Sequence, residues 1–228
     1  MFRPLALLCV VAVGLAACGG ADDTSSASPA GNDATPRTER AGECAQAAQP
    51  KPKPSGAAKR PARALDPNVT YEVVLQTTCG DITIRLDQKA SPKTAASFAA
   101  LAKSGFFDGT VFHRIVPDFV IQGGDPTATG TGGPGYSTRD VPPQDATYTK
   151  GTVAMAKTQT EPPGTAGSQF YIVTAADAGL PPEYALLGKV VKGQDVVDAI
   201  GRLGDPASGD AGTPLQPVVI ERAAVRES

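Results

Sequence analysis

The residue types able to do chemistry concentrate in one stretch, Phe112-His113-Arg114-Ile115-Val116-Pro117-Asp118-Phe119-Val120-Ile121-Gln122-Gly123-Gly124-Asp125. Two apolar runs, Thr110–Val116 and Phe119–Gln122, flank a Pro-Asp turn, and Gly-Gly-Asp closes the unit. An arginine and a glutamine inside runs that otherwise read as buried strand are costly unless those groups have a partner or a task. A second block, Gly167-Ser168-Gln169-Phe170-Tyr171-Ile172-Val173, again sets a glutamine in an aromatic-rich strand. Two such strands put one cation, two amides and several rings around a shallow apolar pocket. The plain alternative, an arginine at a solvated strand edge, accounts for one block and leaves the second unexplained.

Other chemistries are excluded by what the chain lacks. His113 is the single histidine, so no Cys/His metal cluster can be built and no metal is expected. No Gly-x-Ser-x-Gly elbow presents a serine, and a period of two points His113 away from Arg114, as a packed or hydrogen-bonded core histidine. Gly130–Gly135 fits G-x-G-x-x-G, yet Pro134, Pro142 and Pro143 forbid the helix a dinucleotide site needs, so it reads as a surface loop. There is no P-loop, and the net charge of −2 with no basic-aromatic interleaving excludes nucleic acid. What remains is a site with no nucleophile, no titrating pair, no metal and no cofactor. It can bind, or catalyse by positioning and electrostatics.

The elements that must hold these residues follow from the patterning of the rest. The 228 residues include 25 Gly and 21 Pro with few long helical patterns, which favours a β-rich fold. Thr70–Thr77 and Ile82–Leu86 alternate around a Cys79-Gly80-Asp81 turn. Ser91 and Pro92 open a helix over Lys93–Lys103 that Gly105 ends. Strands are expected at Thr152–Ala156, Gln169–Thr174, Leu186–Val191 and Val218–Glu221, and a helix at Gln194–Gly201. About eight strands and two helices predict a mainly β domain over 66–228, a closed eight-stranded antiparallel barrel capped by the two helices.

Ahead of that domain the composition changes. Met1–Ala17 has Arg3 followed by an apolar run too short to span a bilayer, as in a signal peptide. Its end, Leu15-Ala16-Ala17-Cys18-Gly19, resembles the lipobox of bacterial lipoproteins, which implies cleavage and lipidation of Cys18; plain secretion is the alternative. Residues 18–65 hold hardly any large apolar side chain, and read as a disordered tether stiffened by Pro50-Lys51-Pro52-Lys53-Pro54. With +1 at Arg3, −3 over 18–36 and +5 over 37–65, the remaining domain carries −5, so a basic tether bears an acidic domain. That is either a solvated linker or one weakly drawn to an anionic envelope surface. Two cysteines remain beyond the leader and the lipidation site, Cys44 and Cys79; outside the cytoplasm they form a disulfide, or stay as two free thiols.

The ordered set Phe112–Pro117 with Phe119 and Gln122–Asp125, then Gly130–Gly135, Ala154-Met155-Ala156, Ser168–Ile172 and Leu187-Gly188-Lys189-Val190 resembles the cyclophilins, over residues 71–222. The resemblance implies an eight-stranded barrel with peptidyl-prolyl cis-trans isomerase activity, its site on the barrel's outer surface. It implies that Arg114 is the catalytic arginine and that Phe119, Val120, Tyr171 and Leu180 line a proline pocket. Gln122 and Gln169, with the backbone of Ala156 and Lys157, would hold the peptide, and Tyr184 would close the rim. The partners so implied are proline-containing polypeptides, unfolded or exported, met by a monomer held at the membrane through lipid on Cys18.

Departures from the family accompany the likeness. Tyr171 stands where phenylalanine is usual, Gly179 where some members carry tryptophan, Val120 for a common methionine and Lys157 for a common asparagine. Activity with reduced cyclosporin sensitivity is the expectation. A proline-binding holdase with incidental isomerase activity is the competing reading, and a purely structural lipoprotein would leave both polar-bearing strands unexplained.

Overall fold

The structure is a computed structural model and describes residues 43–228. In chain order the elements are β1 (Tyr71–Thr77), β2 (Gly80–Leu86), α1 (Pro92–Lys103), β3 (Thr110–Val111), β4 (Arg114–Val116), β5 (Val120–Gly123), β6 (Thr138–Arg139), β7 (Thr152–Met155), β8 (Thr165–Ala166), β9 (Phe170–Val173), β10 (Leu186–Lys192), α2 (Gln194–Gly201), a 3₁₀ segment (Pro206–Ala211) and β11 (Val219–Glu227).

One antiparallel sheet runs β3-β11-β1-β2-β10-β7-β9-β5-β4, and β6 pairs with β8 in a separate ribbon. The expected closed eight-stranded barrel is therefore corrected: among the described residues the sheet has nine strands and its edge strands β3 and β4 do not pair with each other, while an isolated bridge joins Val111 of β3 to Asp125, just past β5. The cause lies in the run Thr110–Val116, which reads as one strand. Phe112 and His113 leave the ladder, so the piece before them pairs with β11 and the piece after with β5. Register shifts between Gln76 and Thr77, Leu186 and Gly188, and Val190 and Lys192 mark irregularities of the kind that bend and twist a sheet.

Strand alternation sorts the apolar side chains into two sets. Ile121, Val153, Met155, Phe170 and Ile172 join Val73, Leu75, Ile82 and Ile84 in the main core, which α1 closes with Phe98 and Leu101 and α2 with Val197 and Ile200. Phe98 packs against Phe107 at 4.7 Å and edge-on to Phe170 at 5.3 Å between ring centres. At the start of α1 the Ser91 side chain makes no cap; Asp140 does so instead, its Oδ2 accepting from the Thr94 N–H at 2.7 Å and hydroxyl at 2.8 Å.

Residues 43–65 have no regular element, yet they lie on the domain. The N–H groups of Ala45, Lys53 and Ala58 donate to the carbonyls of Thr78, Pro126 and Pro134, and Cys44, Ala58 and Leu65 pack against the main core. Cys44 and Cys79 are joined by a disulfide. Over this part the free spacer expected for 18–65 is corrected, because an extended backbone lacking internal hydrogen bonds finds partners in the loops beside it. The leader 1–17, Cys18 and the rest of the tether lie outside the described residues.

Candidate active site

Four strands bring the site together in one cross-strand row. Arg114 on β4 faces Gln122 on β5, Gln122 faces Tyr171 on β9, and Tyr171 faces Ala154 on β7. One step along, Val116 faces Val120, which faces Val173. These residues share the face opposite Ile121, Phe170 and Ile172. Strands β7 and β9 are buried throughout because both faces are covered, the inner by the main core and the outer by a second cluster.

That second cluster gathers Val120, Tyr148, Ala154, Tyr171 and Val173, with Phe119, Ala156, Leu180, Tyr184 and Leu186 half-buried around them. Every apolar pocket residue expected from the sequence is in it. Three tyrosines form its wall: Tyr184 meets Tyr171 edge-on at 5.6 Å and Tyr148 at 5.9 Å. Tyr148, which the sequence reading missed, fixes the rim by both capacities of its hydroxyl, donating to the Tyr184 carbonyl at 2.7 Å and accepting from the Tyr184 N–H at 3.0 Å. Burial pushes the Tyr148 and Tyr171 phenols up, so both stay protonated at neutral pH. The buried Tyr171 hydroxyl has no partner among the described residues.

The polar half of the site is a chain of hydrogen bonds. Arg114 donates from Nε to the Asp210 carbonyl at 3.0 Å and from an Nη to Gln122 Oε1 at 3.5 Å, with its guanidinium carbon 5.9 Å from the Phe119 ring centre. Gln122 donates to Gln169 Oε1 at 3.0 Å, and Gln169 donates to the carbonyls of Gly130 and Gly132, each at 2.9 Å. Burial lowers the Arg114 guanidinium from its ordinary value, against the pull of the Asp210 carboxylate, but an arginine remains charged at any physiological pH. No carboxylate stands within ion-pair distance of it among the described residues.

Two supports of this chain were not legible in advance. Gly212, just past the 3₁₀ segment, accepts from the Ile115 N–H at 2.7 Å and has φ +64°; a Cβ there would stand 2.8 Å from Arg114 Cγ. Asp125, fully buried, organises the loop after β5: its carboxylate accepts from the N–H groups of Thr127, Thr129, Gly130 and Gly132 and the hydroxyl of Thr127. Burial works to raise the Asp125 carboxyl, but the bonds from Thr127, Gly132 and Gly130 win and hold it below its ordinary value.

His113 is packed, the first of its two expected settings. Since Phe112 and His113 have left the ladder, alternation does not govern them, and the imidazole lies against Gly130, next to the carbonyl that holds Gln169. Among the described residues neither buried ring nitrogen has a hydrogen-bond partner, and burial lowers the imidazole from its ordinary value against the pull of Asp125. Lys157 turns its side chain away to pair with Glu183 at 2.9 Å over the Tyr184 ring, leaving its backbone at the site. The Ala156 N–H is spent on the Gln169 carbonyl at 2.9 Å, so only its own carbonyl is free for a peptide.

An apolar wall flanked by an unneutralised guanidinium and two amides suits a ring-bearing peptide. Among the described residues no group of three or more His, Cys, Asp or Glu could hold a metal. The family profile described as cyclophilin type peptidyl-prolyl cis-trans isomerase/CLD matches residues 72–225. A peptidyl-prolyl cis-trans isomerase of Schizosaccharomyces pombe is 40% identical over 155 residues, 66% of this chain and 96% of that protein. Peptidyl-prolyl cis-trans isomerase A of Mycobacterium tuberculosis is 39% identical over 173 residues, 68% and 92% of the two chains. Among solved structures, a Cryptosporidium parvum cyclophilin superposes with TM-score 0.62 at 30% identity, covering 70% of this chain and 99% of that one. The same cyclophilin in the presence of the dipeptide Ala-Pro gives TM-score 0.61 at 30% identity, covering 69% and 99%. The chain belongs to the cyclophilin-type peptidyl-prolyl cis-trans isomerases and is an isomerase.

Proposed function

We propose that Arg114 is the catalytic group of this isomerase, and that the wall of Phe119, Val120, Tyr171, Leu180 and Tyr184 holds the proline ring while Gln122, Gln169 and the backbone of Ala156 and Lys157 hold the peptide. An Xaa-Pro bond turns slowly because amide resonance must be broken, a barrier of roughly 18–20 kcal/mol. In the twisted state the prolyl nitrogen becomes pyramidal and regains a lone pair. A guanidinium N–H aimed at that nitrogen binds the twisted amide better than the planar one, and only such differential binding lowers a barrier. One charge-assisted hydrogen bond is worth roughly 1.5–3 kcal/mol, about ten- to more than a hundredfold in rate. The rest comes from anchoring the preceding carbonyl and excluding water from the ring.

The observation that carries this reading is the Arg114 guanidinium beside Phe119, tied to backbone and amide rather than to a carboxylate. Arg114→Ala should lower kcat/KM in a protease-coupled Xaa-Pro assay at least about tenfold. Arg114→Lys should restore little of it, since an ammonium lacks the planar fork. An Arg114→Ala enzyme with undiminished kcat/KM overturns the assignment.

The enzyme works, on this reading, at the outer face of a bacterial membrane on exported proteins, as a monomer held by lipid on Cys18. The sequence Leu15-Ala16-Ala17-Cys18 and the Pro-rich stretch that follows support it. Labelled palmitate should enter the wild-type chain and be lost in Cys18→Ala; equal labelling of the variant refutes the anchor.

A further inference from the structure

The family match begins at residue 72, so the stretch over 44–60 that lies on the domain is outside it. It is held at three places. Cys44 is bonded to Cys79. Lys53 Nζ donates to the carbonyls of Gly105, Phe106 and Asp108 at 3.3, 2.5 and 2.9 Å, 5.8 Å from the Phe106 ring centre. Beyond it the backbone runs along the loop after β5. Ser55 Oγ accepts from the Gly133 N–H at 2.9 Å and donates to the Gly133 carbonyl at 3.0 Å, to which the Gly56 N–H donates at 2.9 Å. Arg60 then donates to the Ser137 carbonyl at 2.6 Å and stacks over Tyr136.

The loop is shaped for this contact. Gly135 has φ +93°, and a Cβ on it would stand 2.3 Å from the Gly56 carbonyl oxygen, so two backbones meet where no side chain fits. The same loop supplies Gly130 and Gly132, the carbonyls that orient Gln169, which orients Gln122, which takes the bond from Arg114.

We propose that Ser55, Gly56 and Arg60 are positioning residues of the isomerase site, acting through the loop 126–137 on Gln169. They touch neither Arg114 nor the proline wall. A loop of glycines and small polar residues has little packing of its own, so its tension on Gln169 is set by Asp125 from within and by the strap from outside. The proposal rests on the site assignment above, and its test separates the two.

In the full-length chain, Ser55→Ala combined with Arg60→Ala removes the side-chain bonds of the strap to the loop. The pair should lower kcat/KM about three- to tenfold, chiefly through kcat, and speed hydrogen exchange at the Gly130 and Gly132 amides. Ser55→Thr, which keeps the hydroxyl, should behave as wild type. Placed in a Gln169→Ala background, the pair should have almost no further effect, because the group it positions is gone. Full additivity with Gln169→Ala, or faster loop exchange with unchanged kcat, overturns the proposal and makes the strap merely structural. A fall in kcat for the strap pair alongside an unaffected Arg114→Ala enzyme instead sinks the site assignment.

Discussion

At the scale of the residue, two buried polar groups without partners among the described residues, Tyr171 and His113, stand out, and each carries an expectation. The Tyr171 hydroxyl lies in the apolar wall with nothing to bond. Removing a buried unpaired hydroxyl without changing the ring relieves a desolvation cost, so Tyr171→Phe should stabilise the fold by about 1 kcal/mol, read from the urea midpoint. A loss of stability would mean that the hydroxyl has a partner. His113 acts through pH. Its folded value lies below the ordinary 6.5, so the unfolded chain takes up the proton first. Its contribution to stability is complete above that ordinary value and drains away as pH falls below it toward the folded value. The denaturation midpoint should therefore drop on acidification from about pH 7.5 to 5. His113→Gln should remove this share of the slope, and an unchanged profile would refute it. Arg114 and Gln122 were legible in the sequence because a cation and an amide in a buried strand demand a task. The neighbours of His113 were not, because alternation holds only inside a ladder, and this residue is outside one.

Among the elements, the 3₁₀ segment Pro206–Ala211 with Gly212 matters out of proportion to its length. It has no periodic pattern and reads in the sequence as a loop between a helix and the last strand, yet it carries the carbonyl that Arg114 Nε takes. Gly212→Ala would set a methyl 2.8 Å from both Arg114 Cγ and Val116 Cγ2, at a φ of +64° that favours glycine. It should lower kcat/KM at least about tenfold with a folded far-UV spectrum, because a displacement of about 1 Å at a positioned group costs heavily in rate. A variant with full activity would show that this segment does not position Arg114. The ribbon β6–β8 and the loop around Asp125 were equally hidden. The loop's order depends on one carboxylate collecting backbone N–H groups from residues close in sequence but irregular in conformation, and the ribbon's on a pairing across 26 to 28 residues.

On the scale of the whole molecule, residues 43–65 change what counts as the folded unit. The bond between Cys44 and Cys79 closes a stretch of 35 residues, for which the chain-entropy argument gives at most about 4 kcal/mol. Reduction, or Cys44→Ser with Cys79→Ser, should lower the melting temperature measurably at constant ionic strength. An identical melting curve would mean that the bridge constrains nothing in the unfolded chain. The open nine-stranded sheet belongs to this scale too, since two halves of one apolar run went to its opposite edges.

By itself the sequence determined the strands and helices with strong periodicity and the polar groups Arg114, Gln122 and Gln169, and its likeness to a known family named Phe119, Val120, Tyr171 and Leu180 of the second cluster but not Tyr148. Those signals are local, set by side-chain spacing of two or 3.6 residues and by what burial of a charge costs. Tertiary structure alone decided where the edges of the sheet fall, which loop carbonyls orient Gln169 and Arg114, and that the Pro-rich stretch lies against the domain. Each of these is a pairing of backbone groups far apart in the chain, and a backbone N–H or carbonyl is the same in every residue, so no side-chain pattern announces its partner.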